Sequence, residues 1–171
     1  GGDTRLLIGE RNVIREGVTI NTGTEVGGGF TRIGNDNILM ANAHVAHDCV
    51  LGNRVILANN VMLAGHVRVH DGAILNGGAG VHHFTTIGSL AYVGGLSRIT
   101  RDVPPFTIVE GHPSRVRGLN LIGLKRARFP EATVRALKEA YRLLYRSDRP
   151  ARDAIARLKV DFASVPEVQE L

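Results

Sequence analysis

With 171 residues, 43% of them hydrophobic, the chain is long enough for one repeat body with a small appendage and too short for two full domains. Its 21 lysines and arginines outnumber its 16 aspartates and glutamates, for a formal net charge of +5, and it has no apolar run of the roughly eighteen residues needed to span a membrane. A single cysteine, Cys49, excludes a disulfide framework and, from its place in the repeat, reads as a buried thiol.

No basic-then-apolar leader opens the sequence, which predicts a cytoplasmic protein. Residues 1–20 read as the tail of one coil followed by six-residue units, with Ile8, Ile14 and Ile20 in a common phase. Over 22–32 that phase slips by one residue, and Gly27-Gly28-Gly29 ahead of Phe30 predicts a loop bulging from the body. From there an aliphatic residue returns at every sixth position: Ile33, Leu39, Val45, Leu51, Leu57, Leu63, Val69, Leu75, Val81, Ile87, Val93 and Ile99. Four positions after most of them stands a smaller or β-branched residue, such as Ala43, Val55, Val67, Ala79 and Ala91.

A period of six fits neither the 3.6 of a helix nor the alternation of an open sheet, so it predicts a solenoid. One hexad cannot bury its aliphatic side chain alone, whereas stacked hexads build a continuous axial core. Three hexads per triangular coil place residues eighteen apart above one another, at about the 4.8 Å spacing of neighbouring strands.

After Ile99 the pattern breaks at Asp102-Val103-Pro104-Pro105, and Gly111-His112-Pro113 closes the repeat. The expected domains are therefore a β-helix over 1–111 and a helical region over 112–171. Helical periodicity starts near Leu121. Val134, Leu137, Ala140, Tyr141 and Leu144 predict a helix opened by Pro130 and ending near Ser147, and Pro150 opens another with Ile155, Leu158 and Phe162 on one face. Charge divides along the same line. Before Arg98 six lysines and arginines face seven acidic residues, and from Arg98 onward fifteen face nine. An acidic protein partner suits that excess; nucleic acid does not, because the segment has no helix-turn-helix, zinc-finger or aromatic stacking signature.

The chemistry concentrates in histidines. His44, His47, His66, His70, His82 and His83 all avoid the aliphatic and small-residue phases, so they are expected at corners or facing outward. The eighteen-residue ladder aligns His47, Gly65 and His83, and beside them Asp48, His66 and Phe84. A neutral imidazole with an adjacent carboxylate is a general base, and a glycine lets a reacting carbonyl approach the main-chain N–H, as an oxyanion site requires. No Ser or Cys nucleophile stands beside it, which favours direct transfer to a bound hydroxyl. The competing chemistry is zinc held by three histidines with an open position, as in a trimeric β-helix hydratase of the carbonic anhydrase kind. A non-catalytic trimeric scaffold is the third reading.

The run Asn42-Ala43-His44-Val45-Ala46-His47-Asp48-Cys49, with Leu57-Ala58-Asn59-Asn60, Ala64-Gly65-His66-Val67, Val93-Gly94-Gly95, Asp102-Val103-Pro104-Pro105 and Asn120-Leu121-Ile122-Gly123-Leu124-Lys125-Arg126, resembles the acyl-carrier-protein-dependent UDP-N-acetylglucosamine O-acyltransferases of lipid A biosynthesis. The similarity covers essentially the whole chain, and the His-Asp segment is more specific than the hexads. It implies a left-handed parallel β-helix of hexapeptide repeats with a C-terminal helical domain, a homotrimer with active sites between subunits, and further coils ahead of the segment that starts at Gly1. It also implies His47 as general base, Asp48 as its orienting partner and the Gly65 N–H as oxyanion donor. His44, His66, His82, His83, Asn120 and Arg126 fall at substrate-contacting positions, and Gly95 at the acyl-chain ruler. His83 replaces a frequent Gln, and Ala127 replaces a frequent second Arg. The resemblance implies no metal and no cofactor beyond the phosphopantetheine that arrives on acyl carrier protein. The basic residues Arg115, Arg117, Lys125, Arg126 and Arg128 are the expected landing patch for that acidic carrier.

Overall fold

Each hexad between Ile33 and Ile99 forms a strand that ends on its aliphatic residue and then turns, so the side chain that ends one strand faces the axis together with those of the other two sides of the coil. The computed structural model describes residues 2–171. Three sheets result. The first joins Arg5–Ile8, Phe30–Ile33, Val50–Leu51, Arg68–Val69 and Thr86–Ile87. The second joins Val13–Ile14, Ile38–Leu39, Ile56–Leu57, Ile74–Leu75, Tyr92–Val93, Thr107–Gly111 and Ser114–Leu119. The third joins Thr19–Ile20, His44–Val45, Met62–Leu63, Gly80–Val81 and Arg98–Ile99.

The eighteen-residue ladder holds through the middle coils, where His44 pairs with Met62, Met62 with Gly80, and Val50 with Arg68, all in parallel. Before the 22–32 segment the offset is larger, Arg5 pairing with Phe30 and Val13 with Ile38, because the loop predicted there lengthens one coil. After the Pro104-Pro105 break it shortens, Tyr92 pairing with Ile108.

Burial follows the two phases. Leu39, Val45, Leu57, Leu63, Leu75, Ile87, Val93 and Ile99 are fully buried, as are Ala43, Cys49, Val55, Val61, Val67 and Ala73 from the small-residue phase. Each buried aliphatic contributes about 1.5–3 kcal/mol relative to exposure. Burial also pushes the Cys49 thiol up to about 11, as an inert core thiol requires. A third phase sets the corners. From Ile33 to Val93 the residue three after each aliphatic turns the corner in the left-handed region, including Asp36, Asn42, Asp48, Arg54, Asn60, His66, Phe84, Leu90 and Leu96 with φ between 52° and 63°. Each costs of order 1 kcal/mol of backbone strain.

A first compact unit runs to Arg117 and a second spans Gly118–Leu171. The helical region expected from 112 starts later, because 114–119 forms a strand of the second sheet. In the second unit α1 is Leu121–Arg126, α2 is Glu131–Tyr145, α3 is Ala151–Asp161 and α4 is Pro166–Glu170. Pro130 and Pro150 stand at the N-caps of α2 and α3, where their fixed φ suits the entry. Helix α2 buries Leu137 and Ala140, while α3 buries Ala154 and Leu158 and leaves Ile155 exposed, so the apolar face of α3 is shifted from the one the spacing predicts. Among the described residues no helix is long and apolar enough to cross a membrane.

Candidate active site

The turn leaving the third sheet at Val45 and entering the first at Val50 carries His47 and Asp48, and the matching turn of the next coil carries Gly65 and His66. The left-handed backbone at Asp48 and His66 turns both residues around the same corner. Asp48 is the buried acid of the group, its side chain only 1% exposed. Its Oδ1 accepts the Thr24 N–H at 2.7 Å, and its Oδ2 accepts the Thr24 hydroxyl at 2.6 Å. Its own N–H donates to Thr31 Oγ1 at 2.8 Å. Burial by itself pushes the Asp48 carboxyl up, but the hydrogen bonds from the Thr24 hydroxyl, the Thr24 N–H and His47, with the charge of His66, outweigh it and hold the group below the usual carboxylate range.

A carboxylate held ionised can only accept. His47 Nδ1 lies 2.8 Å from Asp48 Oδ2, so that nitrogen carries the hydrogen and the Nε2 lone pair is left to take a proton. Among the described residues nothing hydrogen-bonds to Nε2. The imidazole lies directly over Gly65, where an added Cβ would come within 2.6 Å of His47 Cε1 and 2.8 Å of Nε2. Any side chain there would displace the ring. The flanking amides of Ala64 and His66 are engaged in the ladder, donating to Val81 O at 3.0 Å and His47 O at 3.0 Å. The Gly65 N–H, although it belongs to a buried residue, has no acceptor among the described residues. A base and an unpaired main-chain donor thus sit within one corner, as proton removal and oxyanion stabilisation require.

His66 stacks on Phe84 with ring centroids 4.5 Å apart, meets His47 edge-on at 5.2 Å, and places Nε2 3.6 Å from Asp48 Oδ2. His47, Asp48 and His66 each place a potential ligand atom within 4.8 Å of the others, although the hydrogen that His47 Nδ1 gives Asp48 occupies that nitrogen. His44 stands apart from this group, its Nδ1 meeting Thr19 Oγ1 at 2.8 Å. His44, His82 and His83 line a separate cavity of about 440 Å³ over the third sheet, with Met62 and Arg98 on its walls. His82 and His83 meet edge-on at 5.3 Å.

Other predicted positions fall elsewhere. Gly95 is exposed on the turn between the second and third sheets, at the opposite edge of the third sheet from His47. Asn120 belongs to the second unit, where its Oδ1 accepts the Gly123 N–H at 2.9 Å and caps α1. Arg126 is exposed in the last turn of the same helix. Arg117 pairs with Glu110 at 3.5 Å. Thr24 is the functional residue that the ladder does not find. It reaches Asp48 from the inserted loop, twenty-four positions away, and the phase slip over 22–32 was the one signal pointing to that loop.

Comparison with known proteins agrees along the whole chain. The family model for UDP-N-acetylglucosamine O-acyltransferase, domain 2, matches residues 102–171, and that for the bacterial transferase hexapeptide (six repeats) matches residues 30–65. An acyl-[acyl-carrier-protein]–UDP-N-acetylglucosamine O-acyltransferase from Synechocystis sp. is 58% identical over 158 residues, covering 92% of this chain and 57% of that protein. One from Anaeromyxobacter sp. is 46% identical, covering 98% and 65%. The solved LpxA from Acinetobacter baumannii superposes with a TM-score of 0.94 at 41% identity, covering all of this chain and 67% of that one. The UDP-N-acetylglucosamine acyltransferase from Campylobacter jejuni gives 0.92 at 38% identity, covering 98% and 65%. The chain spans less than two thirds of the length of these two curated relatives.

Proposed function

The chain belongs to the family of acyl-[acyl-carrier-protein]–UDP-N-acetylglucosamine O-acyltransferases, and from that membership we propose that it moves an (R)-3-hydroxyacyl group from acyl carrier protein to the 3-hydroxyl of UDP-N-acetylglucosamine, the first step of lipid A biosynthesis. The observation that carries this reading is the pairing of His47, its Nδ1 bound by an ionised Asp48, with the unpaired Gly65 N–H beneath it. His47 Nε2 takes the proton from the sugar 3-hydroxyl as its oxygen attacks the thioester carbonyl. The Gly65 N–H stabilises the resulting oxyanion. Collapse breaks the carbon–sulfur bond, and the imidazolium returns the proton to the departing pantetheine thiol.

In the same reading the solenoid is left-handed and assembles as a cytoplasmic homotrimer with its sites between subunits. His44, His66, His82, His83, Asn120 and Arg126 contact substrate, and Gly95 limits the acyl chain. No cofactor or metal of the protein's own takes part. The acidic carrier lands on Arg115, Arg117, Lys125, Arg126 and Arg128. The zinc-dependent hydratase weighed from the sequence is not favoured by the relatives, and the close approach of His47, Asp48 and His66 is what a test for metal would address.

A direct assay separates the two. Incubation with (R)-3-hydroxyacyl carrier and UDP-N-acetylglucosamine is expected to yield the 3-O-acyl ester, unaffected by chelator, with the carrier's KM rising with ionic strength. Absence of ester together with one zinc per chain and chelator-sensitive hydration of carbon dioxide would overturn the transferase reading.

A further inference from the structure

On the side of the His47 corner away from the histidine-lined cavity, the outer face of the first sheet holds a second cavity of about 440 Å³. The side chains that matter on its walls are Arg32, Val50, His66, Arg68 and Phe84, and Gly27 and Gly28 of the inserted loop add backbone to the rim. Arg32 and Arg68 stand on the ladder two rungs apart, each paired to Val50 between them, which separates their backbones by about 10 Å. The Arg32 guanidinium rests over the Phe30 ring at 4.9 Å to its centroid, which narrows the region it samples.

An exposed arginine is ordinarily solvated or paired with a carboxylate. From Arg5 to Arg68 the chain has six cations, all arginines. Arg5, Arg11, Arg15 and Arg54 each have a carboxylate within 4 Å. Among the described residues Arg32 and Arg68 have none, and both face one cavity. The single carboxylate on its wall, Asp48, is already engaged by Thr24 and His47. Phe84, 72% exposed, and Val50, 40% exposed, give the cavity an apolar floor between its cations. Two unpaired guanidiniums beside an open aromatic face suit a phosphate attached to an organic group, because the planar fork of arginine binds phosphate oxygens in pairs.

We propose that this cavity is a phosphate subsite in which Arg32 and Arg68 hold the phosphate-bearing part of one of the two substrates, next to the corner where transfer occurs. The inference rests on the transferase reading. Both substrates of that reading carry the required chemistry, the diphosphate of the nucleotide sugar and the phosphodiester of the pantetheine arm.

The test measures the KM of each substrate with the other saturating, and the binding of inorganic pyrophosphate by calorimetry. It compares the wild-type chain with Arg32→Ala, Arg68→Ala, the double variant and the Arg68→Lys variant. Both side chains are exposed, so the fold is expected to tolerate the changes. In the double variant pyrophosphate binding is expected to weaken on the order of tenfold or more, the range for losing charge-assisted hydrogen bonds, and one KM to rise with it. Arg68→Lys is expected to restore part of the loss. A rise confined to the nucleotide sugar assigns the subsite to its diphosphate, and one confined to the carrier assigns it to the pantetheine phosphate. Arg54→Ala, which removes a cation paired with Asp71, is the control and is expected to move neither. Pyrophosphate affinity and both KM values within twofold of wild type in the double variant would overturn the proposal. Should the wild-type chain transfer no acyl group, the catalytic reading fails by itself, and pyrophosphate binding still decides whether the subsite exists.

Discussion

Two corners of the solenoid are built from the same turn in the same phase and put it to opposite uses. Where the first sheet gives way to the second, Asn35, Asn53 and Asp71 stand two positions after their aliphatics and satisfy the corner amides in sequence. The Glu10 N–H donates to Asn35 Oδ1 at 2.7 Å, the Asn35 N–H to Asn53 Oδ1 at 2.8 Å, and the Asn53 N–H to Asp71 Oδ1 at 2.9 Å. Where the third sheet gives way to the first, the same positions are His47, Gly65 and His83. There the Gly65 amide, the counterpart of Asn53, meets no side-chain oxygen among the described residues. The backbone is common to both corners. What differs is whether the next coil supplies an acceptor, so the second corner keeps a donor and a base for a ligand, and that costs the stability the first corner gains.

The sharpest way to break this contrast is to remove the base. His47→Ala is expected to cost about 10²–10⁴ in kcat, the range for a positioned general base, with the fold retained. Near-normal turnover would take His47 out of the role. Next in size is Gly65→Ala, in which the new methyl group displaces the imidazole and covers the amide. Loss of about 10²–10³ in kcat is expected, the effect of losing one oxyanion donor, and a rate change smaller than tenfold would mean that the amide is not used.

Thr24→Val addresses how the carboxylate is held. It removes one donor from a buried charge and is expected to cost about 1.5–3 kcal/mol in urea unfolding at neutral pH. It also has a pH signature. Because the folded Asp48 carboxyl lies below its unfolded value of about 3.9, its contribution is fully present above that value and is lost as pH falls through the lower folded value. Raising the folded value by removing Thr24 reduces that contribution, so the acid-side loss of stability in the variant is smaller in size and is complete at a higher pH. An unchanged stability profile against pH would contradict the arrangement. The smallest effect is expected at the other corner. Asn53→Ala leaves the Asn35 amide without its acceptor and is predicted to cost about 1 kcal/mol in unfolding free energy with kcat unaltered, as a purely structural ladder requires.

Much of this was legible in the sequence because a strict period converts spacing into proximity. Once hexads are grouped in threes, His47 over Gly65 and Asp48 beside His66 follow from counting, and the structure places His47 against Gly65 and Asp48. Counting fails wherever the partner lies off the ladder. Thr24 arrives from a loop that lengthens its coil, so no eighteen-residue rule reaches Asp48 from it. The left-handed phase leaves a partial trace, since Asp36, Asn42, Asp48, Asn60, Gly72 and Gly78 are residue types that favour that region, whereas Arg54, Phe84, Leu90 and Leu96 adopt it under the same ladder. The unpaired state of Arg32 and Arg68 depends on which carboxylates lie within reach, which is decided side chain by side chain. In the second unit the proline starts were readable, but α3 turns Ala154 and Leu158 inward and leaves Ile155 exposed, a choice made by its neighbours in that unit and not by periodicity.

The claim that one corner holds its amide in reserve can be read directly from hydrogen exchange at Gly65 and Asn53, in the free protein and with the acylated nucleotide sugar bound. Asn53 is predicted to be protected in both states, and Gly65 to exchange rapidly when free and to slow once the ester carbonyl is in place. Equal protection of the two amides in the free protein would contradict the account.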